Sequence, residues 1–404
     1  MPLVCLQDVS ENTARKFASA ALVGCMAGCI AMFPSCSKTA ATPSIDFAAP
    51  VAYTTGGTTP VWAAAADFNG DGKMDLAVAN QGSFNVAILF GNGDGTFQTP
   101  VTYAVNSNGS HPVALEVGDF DGDGKPDIVV VNASSGASVP SIAILLNKGD
   151  GTFGAPILTT TPANGQSITT GDLNSDGNVD IWVGAPGQSF LMLGNGDGTF
   201  GAPVPYMTSP TGTGGGLGVA IGDVNNDGKP DLTASNYLPS NVGVLLNGGN
   251  NEFSDLYTVP VQNSPAGMAL VDFDHDGNLD MVVTNFLTNT ATIRFGAGDG
   301  TFQKHTFAYA GSGPVAVAVA DFDRSGNYSL AFADYNGDGV EYVAGGPGGS
   351  VVDNYDFPTG SSKYIAPQVS SVVAADFNGD GRPDIAAVNS AENTIAILIN
   401  QKPQ

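Results

Sequence analysis

Asp119-Phe-Asp-Gly-Asp-Gly-Lys-Pro-Asp127, running straight into Ile128-Val-Val-Val131, is the stretch that decides the fold. An aspartate-rich loop with glycines at fixed offsets leads into a short β-branched run, a residue class that favours strands. The pattern occurs seven times, with loops opening at Asp67, Asp119, Asp172, Asp223, Asp272, Asp321 and Asp376. Their spacings are 52, 53, 51, 49, 49 and 55 residues. Self-similarity at a fixed period marks a repeat architecture. The 404 residues therefore read as one repeat domain, although length alone would allow two ordinary ones.

Composition agrees with an all-β chain. Glycine (54) and proline (25) are abundant, charge is only 13%, and apolar alternation between turn residues is the dominant pattern. The formal net charge is −25, and 22 of the 38 acidic residues fall at positions 1, 3, 5 and 9 of the seven loops. Acidity is thus concentrated in loops, where bound divalent cations would cancel much of it. The 13 Lys and Arg are scattered singly, so no basic stripe exists for nucleic acid.

The first 36 residues are a different object. Arg15-Lys16 precede an apolar, small-residue run from Phe17 to Ser35, and a polar linker occupies 37–45. Basic residues, apolar run and small-residue exit read as an export signal over 1–36. All four cysteines, Cys5, Cys25, Cys29 and Cys36, lie there, so the repeats use no disulfides. Three of them sit at or near the end of the apolar run, as in a lipoprotein signal. Cys25, after Leu22-Val-Gly, fits the residue pattern, Cys36 fits the context, and Cys29 is intermediate. Soluble export with cleavage near Thr39-Ala-Ala41, or retention as an anchor, are the alternatives. Each places the protein outside the cytoplasm, extracellular or on a cell surface.

One repeat predicts four short antiparallel strands. In the second copy these are His111–Asp119, Pro126–Val131, Ser141–Leu146 and Pro156–Thr159, with a glycine turn at Lys148–Phe153 between the last two. Four strands per roughly 50 residues is the pattern of a propeller blade. The last copy stops after Thr394–Ile399, lacking its fourth strand, whereas Asp46-Phe-Ala-Ala-Pro-Val-Ala-Tyr53 at the start matches Thr152–Thr159. A seven-bladed β-propeller over 46–400 is expected, closed by the N-terminal strand joining the last blade. The recurrent turn phenylalanine is expected in the core between blades.

Positions 1, 3, 5 and 9 of the loop carry Asp, Asp/Asn, Asp and Asp, and position 6 is Gly. With the backbone carbonyl of position 7 these offer hard oxygen ligands, which suit Ca²⁺ better than Mg²⁺. Without a His/Cys cluster, zinc and copper are disfavoured. An EF-hand needs Glu at position 12, where Val78, Val130, Val183 and Ala234 stand instead. Six loops fit, giving about six Ca²⁺ sites. Their candidate ligands are Asp67, Asn69, Asp71, Lys73 and Asp75; Asp119, Asp121, Asp123, Lys125 and Asp127; and Asp172, Asn174, Asp176, Asn178 and Asp180. The others are Asp223, Asn225, Asp227, Lys229 and Asp231; Asp272, Asp274, Asp276, Asn278 and Asp280; and Asp376, Asn378, Asp380, Arg382 and Asp384. The sixth loop, with Asp321, Asp323, Ser325 and Ser329, has lost two carboxylates.

Residues 67–80 and Phe90-Gly-Asn-Gly-Asp-Gly-Thr-Phe97 resemble the FG-GAP/VCBS repeat family, related to the N-terminal propeller of integrin α subunits. The resemblance covers 46–400. It implies a seven-bladed propeller with Ca²⁺ on one face, usually in extracellular proteins that bind proteins or glycans. Integrins also need a partner subunit, which nothing in this sequence suggests, so a monomer is expected.

A propeller's second face carries the loops between second and third strands and between successive blades. Second strands tend to end in Asn (80, 132, 236, 285, 389), read as turn caps. The next residue is aromatic in three consecutive blades, Tyr237, Phe286 and Tyr335, which makes these the candidate ligand-binding residues. Asp334-Tyr-Asn-Gly-Asp338 in the sixth blade reads either as an extra cation loop or as a polar turn. Catalysis finds little support: His111, His275 and His305 are scattered, and no nucleophile motif appears. The expected function is an exported, calcium-binding, non-catalytic adhesion or binding module. A polysaccharide lyase on the same scaffold and a structural envelope module are the alternatives.

Overall fold

The computed structural model describes residues 45–106, 109–134, 138–210, 216–249, 252–361 and 366–401. The export signal, its cysteines Cys25, Cys29 and Cys36, and all of the linker but Ile45 lie outside them. Among the described residues no helix is long and apolar enough to cross a membrane.

The chain enters through β1 (Asp46–Phe47) and β2 (Val51–Thr54), then lays down blade after blade. Blade one is β3 (Pro60–Ala66), β4 (Asp75–Asn80), β5 (Asn85–Leu89) and β6 (Val101–Ala104). Blade two is β7 (His111–Gly118), β8 (Asp127–Ala133), β9 (Ser141–Leu145) and β10 (Ile157–Thr160). Blade three is β11 (Ser167–Gly171), β12 (Asp180–Gly184), β13 (Ser189–Met192) and β14 (Val204–Tyr206). Blade four is β15 (Gly216–Gly222), β16 (Asp231–Asn236), β17 (Asn241–Asn247) and β18 (Phe253–Pro260). Blade five is β19 (Pro265–Val271), β20 (Asp280–Asn285), β21 (Thr290–Gly296) and β22 (Phe302–Tyr309). Blade six is β23 (Pro314–Ala320), β24 (Ser329–Asp334), β25 (Gly339–Gly346) and β26 (Ser350–Pro358). Finally come β27 (Val369–Ala375), β28 (Asp384–Asn389), β29 (Thr394–Leu398) and β30 (Asn400–Gln401).

Each blade is an antiparallel sheet in sequence order, except the seventh, which runs β27-β28-β29-β2. First strands of successive blades adjoin around the ring, and β27 adjoins β3. The molecule is thus an all-β, seven-bladed propeller with four-stranded blades, closed by its N-terminal strand. Register shows how the closure works. Phe47 pairs with Asn400, as Phe153 pairs with Asn147 and Phe97 with Gly91. β1 and β30 therefore meet inside what would be the glycine turn of blade seven. Ile45, assigned to the linker by sequence, is buried in the core between blades six and seven.

Why the second and third strands are uniformly apolar is clear from the packing. There are seven hydrophobic clusters among the described residues, one at each junction between neighbouring blades. A blade is covered on both faces, so β8 and β9 are buried along nearly their whole length. Outermost strands such as β6 and β10 alternate toward solvent. The turn phenylalanine fills six of the junctions, with Val351 in its place between blades five and six: Phe153 meets Phe68 edge to face at 5.7 Å, and Phe97 meets Phe377 at 5.5 Å. Full burial of such a ring stabilises by about 1.5–3 kcal/mol.

Candidate functional site

All seven acidic loops share one backbone shape. The first aspartate accepts the N–H of position 5 with one oxygen and of position 6 with the other, as Asp119 does from Asp123 (3.1 Å) and Gly124 (2.9 Å). The position-3 side chain also accepts the position-5 N–H, and position 5 caps position 7. The sixth loop keeps this shape, with Asp321 bound to Ser325 and Gly326, despite its lost carboxylates. Loop shape therefore comes from aspartate turns, and the further carboxylates are surplus to it.

Loop carboxylates, the shape-setting ones included, also converge. Asp119, Asp121 and Asp127 in blade two, and Asp272, Asp274 and Asp276 in blade five, bring oxygens within 4.8 Å of one another. In blades one, three, four and seven position 3 is the amide Asn69, Asn174, Asn225 or Asn378, which keeps the oxygen but not the charge. A donor set of carboxylate, amide and carbonyl oxygens fits a hard divalent cation of the Ca²⁺ type. Lys73, Lys125 and Lys229 reach back to the position-5 carboxylates at 3.1, 2.6 and 3.0 Å. Lys125 holds Asp123 below the usual carboxylate range.

Position 9, a candidate ligand by its offset, also has a structural job that the sequence did not suggest. Asp75, Asp127, Asp180, Asp231, Asp280 and Asp384 are completely buried. In each, one oxygen accepts the N–H of loop position 2 and the other the first N–H of the glycine turn; for Asp127 these are Phe120 (3.0 Å) and Asn147 (2.7 Å). The residue bolts the loop to the turn. Burial pushes Asp75, Asp127, Asp280 and Asp384 up to about 6, against backbone hydrogen bonds that pull the other way. In blade six Ser329 keeps only the turn contact, from Gly345 at 3.1 Å.

Between blades, the turns bind the position-2 carbonyls of the preceding loop: Gly95 to Phe377, Asn147 to Phe68 and Gly198 to Phe120. Asn247 reaches Leu173, Gly300 reaches Val224 and Asn400 reaches Phe322. Position 4 has φ near +60°, a left-handed conformation usually left to glycine. Blades three to six place a side chain there, beginning with Ser175, and those of blades four, five and six reach the next loop. Asn226 donates to Asn278 at 2.7 Å, His275 stacks on Tyr328 at 5.2 Å, and Arg324 donates to the carbonyls of Asp380 (3.0 Å) and Gly381 (3.1 Å).

On the opposite face the Asn residues ending second strands mostly tie blades together, a role their sequence did not suggest, while Asn80 and Asn236 also bridge their own turns to Asn85 and Asn241 at 2.9 Å. Asn80 donates to Thr55 O, Asn132 to Val105 O, Asn236 to Thr208 O and Asn389 to Thr359 O, each just past the outer strand of the preceding blade. Asn285 instead binds within its own blade. Tyr237, Phe286 and Tyr335 follow these positions, all half-buried, and Leu238 and Leu287 beside the first two are 72% and 63% exposed. Gly313 of blade six packs against Phe286 and Asn336, so blades five and six meet here. Asp334 accepts the N–H groups of Ser312 and Gly337 at 2.7 and 2.9 Å, which makes its loop a polar turn. Tyr342, at position 9 of that stretch, is buried in the core and is no ligand. Burial, then Asp338 and Glu341, push nearby Asp356 up to about 7. The histidines stay apart: His111 lies near Phe84, His275 in its acidic loop, and His305 beside Arg294.

Comparison with known proteins agrees with this geometry. Residues 67–130, 119–183 and 172–234 match the FG-GAP-like repeat, and residues 369–398 match the FG-GAP repeat. No curated protein sequence matches the chain. Similar solved structures include an Agrocybe aegerita lectin described as recognising non-reducing terminal N-acetylglucosamine. It is 18% identical, with a TM-score of 0.55, over 80% of this chain and 94% of the lectin. A putative 6-phosphogluconolactonase from Bacteroides uniformis is 14% identical, with a TM-score of 0.60, over 79% and 91%. BBS1N, solved in complex with ARL6DN, is 13% identical, with a TM-score of 0.59, over 88% and 97%. At these identities the likeness is one of fold alone.

Proposed function

We propose that this chain, which belongs to the FG-GAP repeat propellers, is an exported, calcium-stabilised, non-catalytic binding module for a protein or glycan. Its ligand face would be the rim formed by Tyr237, Phe286 and Tyr335, opposite the acidic loops. The observation that carries this reading is the pair of exposed leucines, Leu238 and Leu287, each beside a half-buried aromatic, Tyr237 and Phe286, in neighbouring blades. Aromatic rings with one open face suit sugar stacking and protein contact alike. Similar folds solved as a lectin and as a protein complex support a binding role for the scaffold. About six Ca²⁺ ions, in the loops of every blade but the sixth, would hold that scaffold. The export signal would place it outside the cell, with a lipid on Cys25, Cys29 or Cys36 as one means of anchorage.

A glycan array and a panel of purified extracellular proteins test the reading. Saturable, calcium-dependent binding is expected, and the triple variant Tyr237→Ala, Phe286→Ala, Tyr335→Ala should weaken it about tenfold or more. Unchanged binding by that variant would remove the rim from the proposal. Turnover of uronic-acid glycans would overturn the non-catalytic reading.

A further inference from the structure

First strands of the seven blades enclose a central cavity of about 350 Å³. Counting back from each loop's first aspartate puts equivalent residues in layers. Five residues back stand Trp62, Ala114, Ser167, Gly218, Gly267, Ala316 and Ser371. Three back stand Ala64, Glu116, Thr169, Ala220, Ala269, Ala318 and Val373. Small uncharged residues stand at nearly all of these positions, and several of them, Ser167, Gly218, Gly267 and Ala316 included, line the channel. The two exceptions, Trp62 and Glu116, come from adjacent blades, and both line the cavity. Trp62 packs against the clusters between blades one and two and between two and three, so it leans across the blade that carries Glu116.

We propose that this channel is a separate binding site for a small organic ammonium ion, held between the Glu116 carboxylate and the Trp62 indole. Among the described residues no Lys, Arg or His lines the cavity, so nothing in its wall neutralises the carboxylate. Glu116 keeps part of its surface open to the channel while protein surrounds it on all sides. That enclosure pushes its carboxyl up to about 7, against the Val117 N–H. A single carboxylate cannot complete the six to eight oxygen shell of Ca²⁺. An alkylammonium needs only one counter-charge and an apolar surface, and an indole face is the best aromatic partner for such a cation. The volume lies within the range of small-molecule sites. The site is independent of the rim, so failure of one leaves the other standing.

The test uses the folded chain in calcium buffer, titrated with tetramethylammonium chloride and with butylammonium chloride against sodium chloride at equal ionic strength. Calorimetry and tryptophan emission both report. Trp182 is fully buried with its indole N–H on Thr233 O at 3.1 Å, so the responsive signal is that of Trp62. Saturable binding of at least one ammonium probe is expected. Affinity should fall about tenfold in Glu116→Gln, equivalent to 1.4 kcal/mol, and fall similarly in Trp62→Leu, with the rim variant unaffected. Glu116→Gln is expected to fold, because its six sister positions are already uncharged. Absence of saturable binding by both probes, or equal binding by Glu116→Gln, overturns the proposal.

Discussion

The position-9 aspartate combines a candidate metal ligand with a structural bolt, and its substitutions should separate the two. Asp127→Ala strands the buried N–H groups of Phe120 and Asn147. An unsatisfied buried donor costs about 1–3 kcal/mol, so a loss of about 3 kcal/mol is expected in urea denaturation, even in EDTA. Asp123→Asn changes an exposed carboxylate and should leave that stability within about 0.5 kcal/mol, while weakening any calcium response. Equal losses in EDTA would contradict the bolt. The sequence showed Asp127 as an oxygen donor by its offset. It could not show burial, because the turn that covers it lies 20 residues on, at Asn147.

At the scale of elements, ring closure is the decisive pairing. β2 supplies the outer strand of blade seven, with Val51 opposite Ile397 and Thr54 opposite Thr394. Phe47 packs edge to face on Phe322, Tyr342 and Phe357. Deleting 46–54 would remove that ring from the core and leave β29 an open edge. Loss of one core phenylalanine alone costs about 3–5 kcal/mol, so a deficit of at least ~5 kcal/mol and a tendency to associate are expected, read by urea denaturation and gel filtration. A deletion as stable and monomeric as the full chain would refute the closure. This element was legible because Asp46–Tyr53 repeats Thr152–Thr159. The cross-blade role of Asn80 and its counterparts was not, since each partner carbonyl belongs to a neighbouring blade.

For the whole molecule, the acidic loops are expected to set the response to calcium and pH. With free Ca²⁺ about ten times each Kd, a site adds roughly 1.4 kcal/mol, and six add about 8 kcal/mol. Melting in EDTA should therefore fall by about 10 °C. The metal-free protein has a further signature. Four of its position-9 carboxyls, Asp75, Asp127, Asp280 and Asp384, sit at about 6 in the fold, above the usual 3.8. The folded state then binds more protons than the unfolded one, so stability falls as pH rises from 3.8 through about 6. A bound cation favours the ionised carboxylates and should flatten or reverse that slope. Melts across pH with calcium and with EDTA check both, and superimposable curves would contradict them.

Repeat period, strand pattern and oxygen-ligand spacing determined the propeller, its seven blades, its closure and its candidate cation loops. They could do so because each of these rests on contacts within one repeat or on similarity between repeats. What only the tertiary structure decided lies between repeats: the bolt at Asp127, the left-handed reach of Arg324, the asparagine ties, and the meeting of Trp62 with Glu116 in one channel. Those depend on which side chains seven folded blades bring together, and no spacing along the chain records that. The loop that identified the fold thus marks the same face of every blade, while the features that make this ring unlike its own repeats become visible only once it closes.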